Sequence, residues 1–151
     1  MSQVVETIDV DVPVSTSYNQ WTQFEEFPQF LTFVKSITQK DDTHQHWVVN
    51  IGGVEREFDA EITEQKPDER VAWHSTAAEV EHAGVVTFHK LSDTTSRVAV
   101  QLDWKPENFV EKVGDALGFD DRAIKNDLAN FKKFIESRGT EDGAWRGTVE
   151  N

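Results

Sequence analysis

Two polar residues interrupt positions that are otherwise apolar, Arg56 and His82. Arg56 shares the parity of Val54, Phe58, Ala60 and Ile62, in a segment that alternates with Glu55, Glu57, Asp59 and Glu61. In a regular strand its guanidinium therefore enters the apolar side. A charge buried there is costly unless it is paired. Its partner is a carboxylate, or a carbonyl or phenol oxygen on a ligand; otherwise a bulge turns it outward or it snorkels at the rim. His82 shares parity with Val80, Gly84, Val86 and Phe88. Its ordinary pKa of about 6.5 suits proton transfer, and the residue equally fits a hydrogen-bonded structural role. Ser75, on the face of Val71 and Trp73, is a third polar contact or simply a small residue at a strand end. Together an arginine that polarises a carbonyl and a histidine that moves a proton would serve enolate chemistry.

Other chemistries find less support. His44 and His46 are spaced to point the same way from a strand, as a metal pair would, but they abut Asp41-Asp42 and read better as a solvated hairpin end. No metal or other cofactor is expected. The sequence holds no HExxH, GxSxG, EF-hand or glycine-rich phosphate loop, and Gly52-Gly53 reads as a hairpin turn. The row Glu55, Glu57, Asp59, Glu61 is a wet strand face. With no cysteine in 151 residues, thiolate catalysis, disulfides and iron-sulfur clusters are excluded. A net charge of -13 is the wrong sign for phosphate backbones or anionic bilayers, so neither nucleic acid nor membrane is an expected partner. The first residues have neither a basic start nor an apolar run, and no stretch approaches the roughly 20 apolar residues of a span, so a cytoplasmic address is the default.

The elements that must position these residues are legible from periodicity. Val4 to Val12 alternate as a first strand that Pro13 ends. A short helix to about Phe24 follows, capped by Ser15 or Ser17, with Ser17 and Gln20 as a capping box. Phe24, Phe27, Phe30 and Phe33 recur every third residue around Pro28, which predicts a tight helical turn with one apolar edge. Six more strands are expected, at Val34 to Lys40, His46 to Ile51, Val54 to Glu64, Arg70 to Thr76, Val80 to Leu91 and Arg97 to Trp104. Short turns separate them, so the series is antiparallel with one dry and one wet face. From Pro106 to Gly139 the apolar residues Val110, Val113, Leu117, Ile124, Leu128, Phe131 and Ile135 form one helical stripe that covers the dry face. Gly118 to Asp121 predicts a break in it. A single domain over 1–139 and a tail over 140–151 is the expected organisation, with Trp145 folding back onto the surface.

The stretches Val10-Asp11-Val12-Pro13-Val14, Trp21-Thr22-Gln23-Phe24-Glu25-Glu26-Phe27-Pro28-Gln29-Phe30, Glu61 to Trp73, and Asp127-Leu128 with Phe131-Lys132 resemble the START-like, or Bet v 1-like, superfamily. Within it they look like the polyketide cyclase/dehydrase and coenzyme Q-binding branch. Gly143-Ala144-Trp145-Arg146-Gly147 resembles an ending seen in uncharacterised bacterial members. The resemblance implies an α+β helix-grip fold, in which a curved seven-stranded antiparallel sheet grips a long C-terminal helix, with two short helices after the first strand. It also implies an internal cavity for a lipid, sterol, isoprenoid quinone or polyketide-like molecule, without implying a reaction.

The expected function is therefore a carrier or sensor of a small hydrophobic ligand. The expected lining is Phe27, Phe30, Trp47, Arg56, Phe58, Trp73, Ser75, His82, Phe88 and Trp104, closed by Val113, Leu117 and Ile124. One alternative is a polyketide aromatase, cyclase or dehydratase that uses Arg56 and His82. A second is an interaction module that docks a partner on an exposed Phe edge.

Overall fold

The computed structural model describes residues 2–51, 54–76, 81–105, 121–141 and 143–149. Seven strands form one sheet: β1 Ser2–Val10, β2 Val34–Gln39, β3 His44–Ile51, β4 Val54–Lys66, β5 Arg70–Ser75, β6 Glu81–Lys90 and β7 Ser96–Lys105. Their order is β1-β7-β6-β5-β4-β3-β2, every neighbour antiparallel. The consecutive strands β1 and β2 thus lie at opposite edges. The chain between them carries helix α1 (Val14–Trp21) and a 3-10 helix (Phe24–Gln29) across the dry face.

Alternation decides which side chains meet on that face. The register pairs Trp47 with Phe58, Ile62 with Trp73, Trp73 with Gly84, Gly84 with Leu102, and Phe88 with Val98. All these apolar side chains are buried. The 3-10 helix turns its rings inward because three residues per turn stack Phe24, Phe27 and Phe30 on one edge. Helix α2 (Asp121–Arg138) buries the stripe Ile124, Leu128, Phe131 and Ile135 and lies against β1, with Phe131 on the Phe30 ring at 5.0 Å. It ends where Gly139 takes φ 74°, a left-handed conformation that suits glycine. The expected start at Pro106, the break near Gly118 and the residues Val110, Val113 and Leu117 lie outside the described residues.

Two expectations are corrected. Neither Ser15 nor Ser17 caps α1: the N-cap is Pro13, and no side chain caps the helix. Ser17 lies inside the helix, its hydroxyl 2.9 Å from that of buried Ser96, which donates to the Val12 carbonyl. The serine staples α1 to β7, a use of the hydroxyl that competes with capping. The Phe edge, expected to be exposed in the interaction-module reading, is core: Phe24, Phe27, Phe30 and Phe33 are all buried.

Candidate functional site on the dry face

Five of the anticipated lining residues meet in one aromatic cluster. Trp47 stacks on Phe58 at 5.6 Å and lies 5.6 Å from Trp73. Phe24 and Phe27 close over them from the 3-10 helix, at 5.6 and 6.2 Å from Trp73. His82 sits among the rings, 5.7 Å from both Trp47 and Phe58. Gly84 makes room for this arrangement. It stands opposite Trp73, and a Cβ added there would lie 2.3 Å from the indole Cζ2, inside any real contact distance. The mid-strand glycine is thus a close-approach site under an indole.

The partners of His82 fix its chemistry. Trp73 Nε1 can only donate, and it does so to His82 Nε2 at 3.1 Å. His82 Nδ1 lies 3.1 Å from the Asp103 carbonyl, which can only accept. The imidazole is therefore neutral with its proton on Nδ1. Its backbone N–H donates to Ser75 Oγ at 3.0 Å, which gives Ser75 its role at the strand end. Burial pushes the His82 pKa down to about 3, against a weaker opposing effect of the Asp103 carbonyl.

Arg56 keeps the inward parity and is half-buried, opposite Val49 on β3, with its guanidinium donating to the Glu55 carbonyl at 3.4 Å. Phe88 is buried against Tyr18 of α1, edge to face at 5.3 Å. Phe27 and Phe30 pack on Trp21 at 5.1 and 5.2 Å. Ile124 is buried on α2. The backbone of Trp104 pairs with His82 and Ser2, while its side chain, like Val113 and Leu117, lies outside the described residues.

The structure adds a buried carboxylate. Asp127 of α2 accepts from the Thr32 backbone N–H at 3.0 Å and from the Thr32 hydroxyl at 2.9 Å. It ties the helix to the segment after the Phe rings. Burial raises its pKa to about 6, although both Thr32 bonds favour the ionised form. The signal was present in the sequence: Asp127 falls within the stripe Ile124, Leu128, Phe131 and breaks it, as Arg56 and His82 break theirs.

On the wet face His46 bridges two carboxylates, with Nδ1 2.8 Å from Asp59 and Nε2 3.0 Å from Glu57. Lys35 pairs with Glu55 and Lys40 with Asp59. His44 packs on Asp41 in the turn, as the solvated hairpin reading expects.

Residues 10–133 match the family described as polyketide cyclase/dehydrase and lipid transport. The chain belongs to that family. An uncharacterised 17.2 kDa protein of Streptomyces lincolnensis is 60% identical over 149 residues, covering 99% of both chains. A Deinococcus radiodurans protein of known structure superposes with a TM-score of 0.76 at 23% identity, covering 91% of this chain and 99% of that one. A START superfamily protein from Mycobacterium smegmatis gives 0.70 at 14% identity, covering 90% and 98%. The polyketide cyclase/dehydrase fold of this chain is thus the START-like helix grip that the strand order describes. Among its described residues no helix is long and apolar enough to cross a membrane.

Proposed function

We propose that the protein carries or senses a small hydrophobic molecule held against the aromatic dry face, and that it does not turn that molecule over. The observation that carries this reading is the bonding of His82. A general acid/base must exchange its proton near neutral pH, and this imidazole is buried, neutral and bonded at both ring nitrogens. Cyclase or dehydratase chemistry through His82 would have to strip it from Trp73 or Asp103 first. What surrounds it instead is indole and phenyl, apolar walls that supply no acid or base, with the half-buried Arg56 at the margin as the polar group nearest in kind to a ligand oxygen's partner.

Native mass spectrometry of freshly purified protein, followed by organic extraction, tests the reading. An apolar ligand should co-purify, and a panel of quinones and fatty acids should quench tryptophan fluorescence and bind with a negative heat-capacity change. Arg56→Ala should weaken binding of oxygen-bearing ligands while leaving the melting curve nearly unchanged. No extracted ligand together with no panel binding would sink the carrier reading. A large loss of stability in Arg56→Ala with unchanged affinity would make Arg56 a structural ion-pair partner.

A further inference from the structure

The tail motif Gly143 to Gly147 is absorbed by no step of the proposed function, yet it is firmly held. The Trp145 backbone N–H donates to Thr22 Oγ1 at 3.1 Å. Arg146 pairs with Asp68 at 2.9 Å, donates to Asn19 Oδ1 at 2.6 Å and lies over the Tyr18 ring. Val149 exchanges two backbone hydrogen bonds with Gln65, at 2.8 and 2.9 Å, on the stretch of β4 that extends beyond its pairing with β3. The chain also folds tightly beneath the Trp145 indole, since a Cβ at residue 147 would lie 2.5 Å from its Cη2. The backbone is thus held on both sides of Trp145, with Gly147 packed against the indole, which makes that ring a wall.

That wall bounds a surface cleft of about 310 Å³, at the lower limit of ordinary small-molecule sites. Phe24 and Ile62 supply further apolar lining, and Phe24 presents its inner side to Trp73. Glu25, Glu26 and Asp42 line the same cleft, and no Lys, Arg or His is among the described residues that do. Glu25 is fixed by accepting the Gln39 backbone N–H at 2.9 Å. Arg146, the nearest tail cation, is committed to Asp68 and Asn19. An aromatic wall with a carboxylate rim and no basic lining residue selects for positive charge on an apolar body, and the protein's net charge of -13 adds to the attraction.

We propose that this cleft, on the outer side of Phe24 and Ile62 at the margin of the dry face, is a second binding site for a small organic cation with an aromatic or alkyl body. Trp145 holds the body, and Glu25, Glu26 and Asp42 hold the ammonium. The test titrates the full chain with phenethylamine, phenethyl alcohol and phenylacetate while following the Trp145 indole N–H by NMR. The amine should bind at least about tenfold more tightly than the alcohol, and phenylacetate should leave the signal unmoved. Trp145→Ala should lose the amine and Trp145→Phe should retain it. The triple variant E25Q/E26Q/D42N should bring the amine down to the affinity of the alcohol without changing the alcohol. Equal binding of amine and alcohol by the natural protein overturns the proposal, as does undiminished amine binding by a Trp145→Ala variant with a normal melting curve. Should Trp145→Ala fail to fold, the triple variant decides, and full amine affinity there is fatal.

Discussion

Two histidines on opposite faces of the same sheet make a direct comparison. His82 and His46 each use both ring nitrogens, at distances between 2.8 and 3.1 Å. On the dry face the partners are an indole N–H and a backbone carbonyl, neither able to compensate a charge, and His82 is held neutral. On the wet face the partners are Asp59 and Glu57, which raise the His46 pKa above its ordinary value. The geometry of bonding is alike, and the charge of the partners and the access of water decide the outcome. A polar residue in an apolar row therefore signals catalysis only when its neighbours leave it a proton to exchange.

The largest expected effect comes from breaking the dry-face arrangement. Trp73→Ala removes a buried indole and strips His82 Nε2 of its donor, and should cost about 3–5 kcal/mol by chemical denaturation. A cost below about 1 kcal/mol would mean that the rings do not depend on one another.

The pH response sharpens the contrast. His82 has a folded pKa of about 3 against about 6.5 unfolded, so its contribution is present above 6.5 and is lost as pH falls, at about 1.4 kcal/mol per unit. Asp127 has the opposite sign. Its folded pKa of about 6 exceeds the 3.8 of the unfolded chain, so its contribution is full below 3.8 and is lost as pH rises through 6. Between about pH 4 and 6 the two slopes oppose each other. Asp127→Asn should unmask that of His82: the variant should lose about 2–3 kcal/mol more than the natural protein on acidification across that window. Parallel stability curves for the two proteins would exclude a perturbed Asp127.

Gly84→Ala tests the close approach from the other side. Displacing the Trp73 indole should cost about 1–3 kcal/mol. It should also detach Trp73 Nε1 from His82, which proton exchange at the indole N–H would reveal.

The smallest effect belongs to the wet face. His46→Gln should change stability by less than about 1 kcal/mol, since the pair is exposed and screened. By NMR titration His46 should show a midpoint above about 6.5 that falls with added salt, while His82 stays neutral down to about pH 4. The stabilisation His46 supplies is present below its unfolded pKa and fades as pH rises through the raised folded one.

Much of the fold was legible because alternation is a local property. Val98, Val100 and Leu102 against Arg97, Gln101 and Asp103 reveal a strand and its faces without any knowledge of its neighbours. Register is not local. His82 could be placed inward, but its bond to Trp73 depends on the β5–β6 pairing that sets Trp73 opposite Gly84. Ser17 satisfied a capping pattern, yet its partner Ser96 lies 79 residues away. The tail has no periodicity at all, and its hold on the protein comes from isolated contacts of Arg146, Trp145 and Val149 that no pattern of spacing encodes.

The glycine beneath Trp73 also makes the protein its own reporter. The Hα of Gly84 that takes the Cβ direction points at the Trp73 indole, so its resonance should be displaced far upfield into an uncrowded region of the spectrum. A molecule that enters the dry face and tilts that indole by even a few degrees would move that line. Occupancy of the interior could then be followed without a label, a dye or an added chromophore.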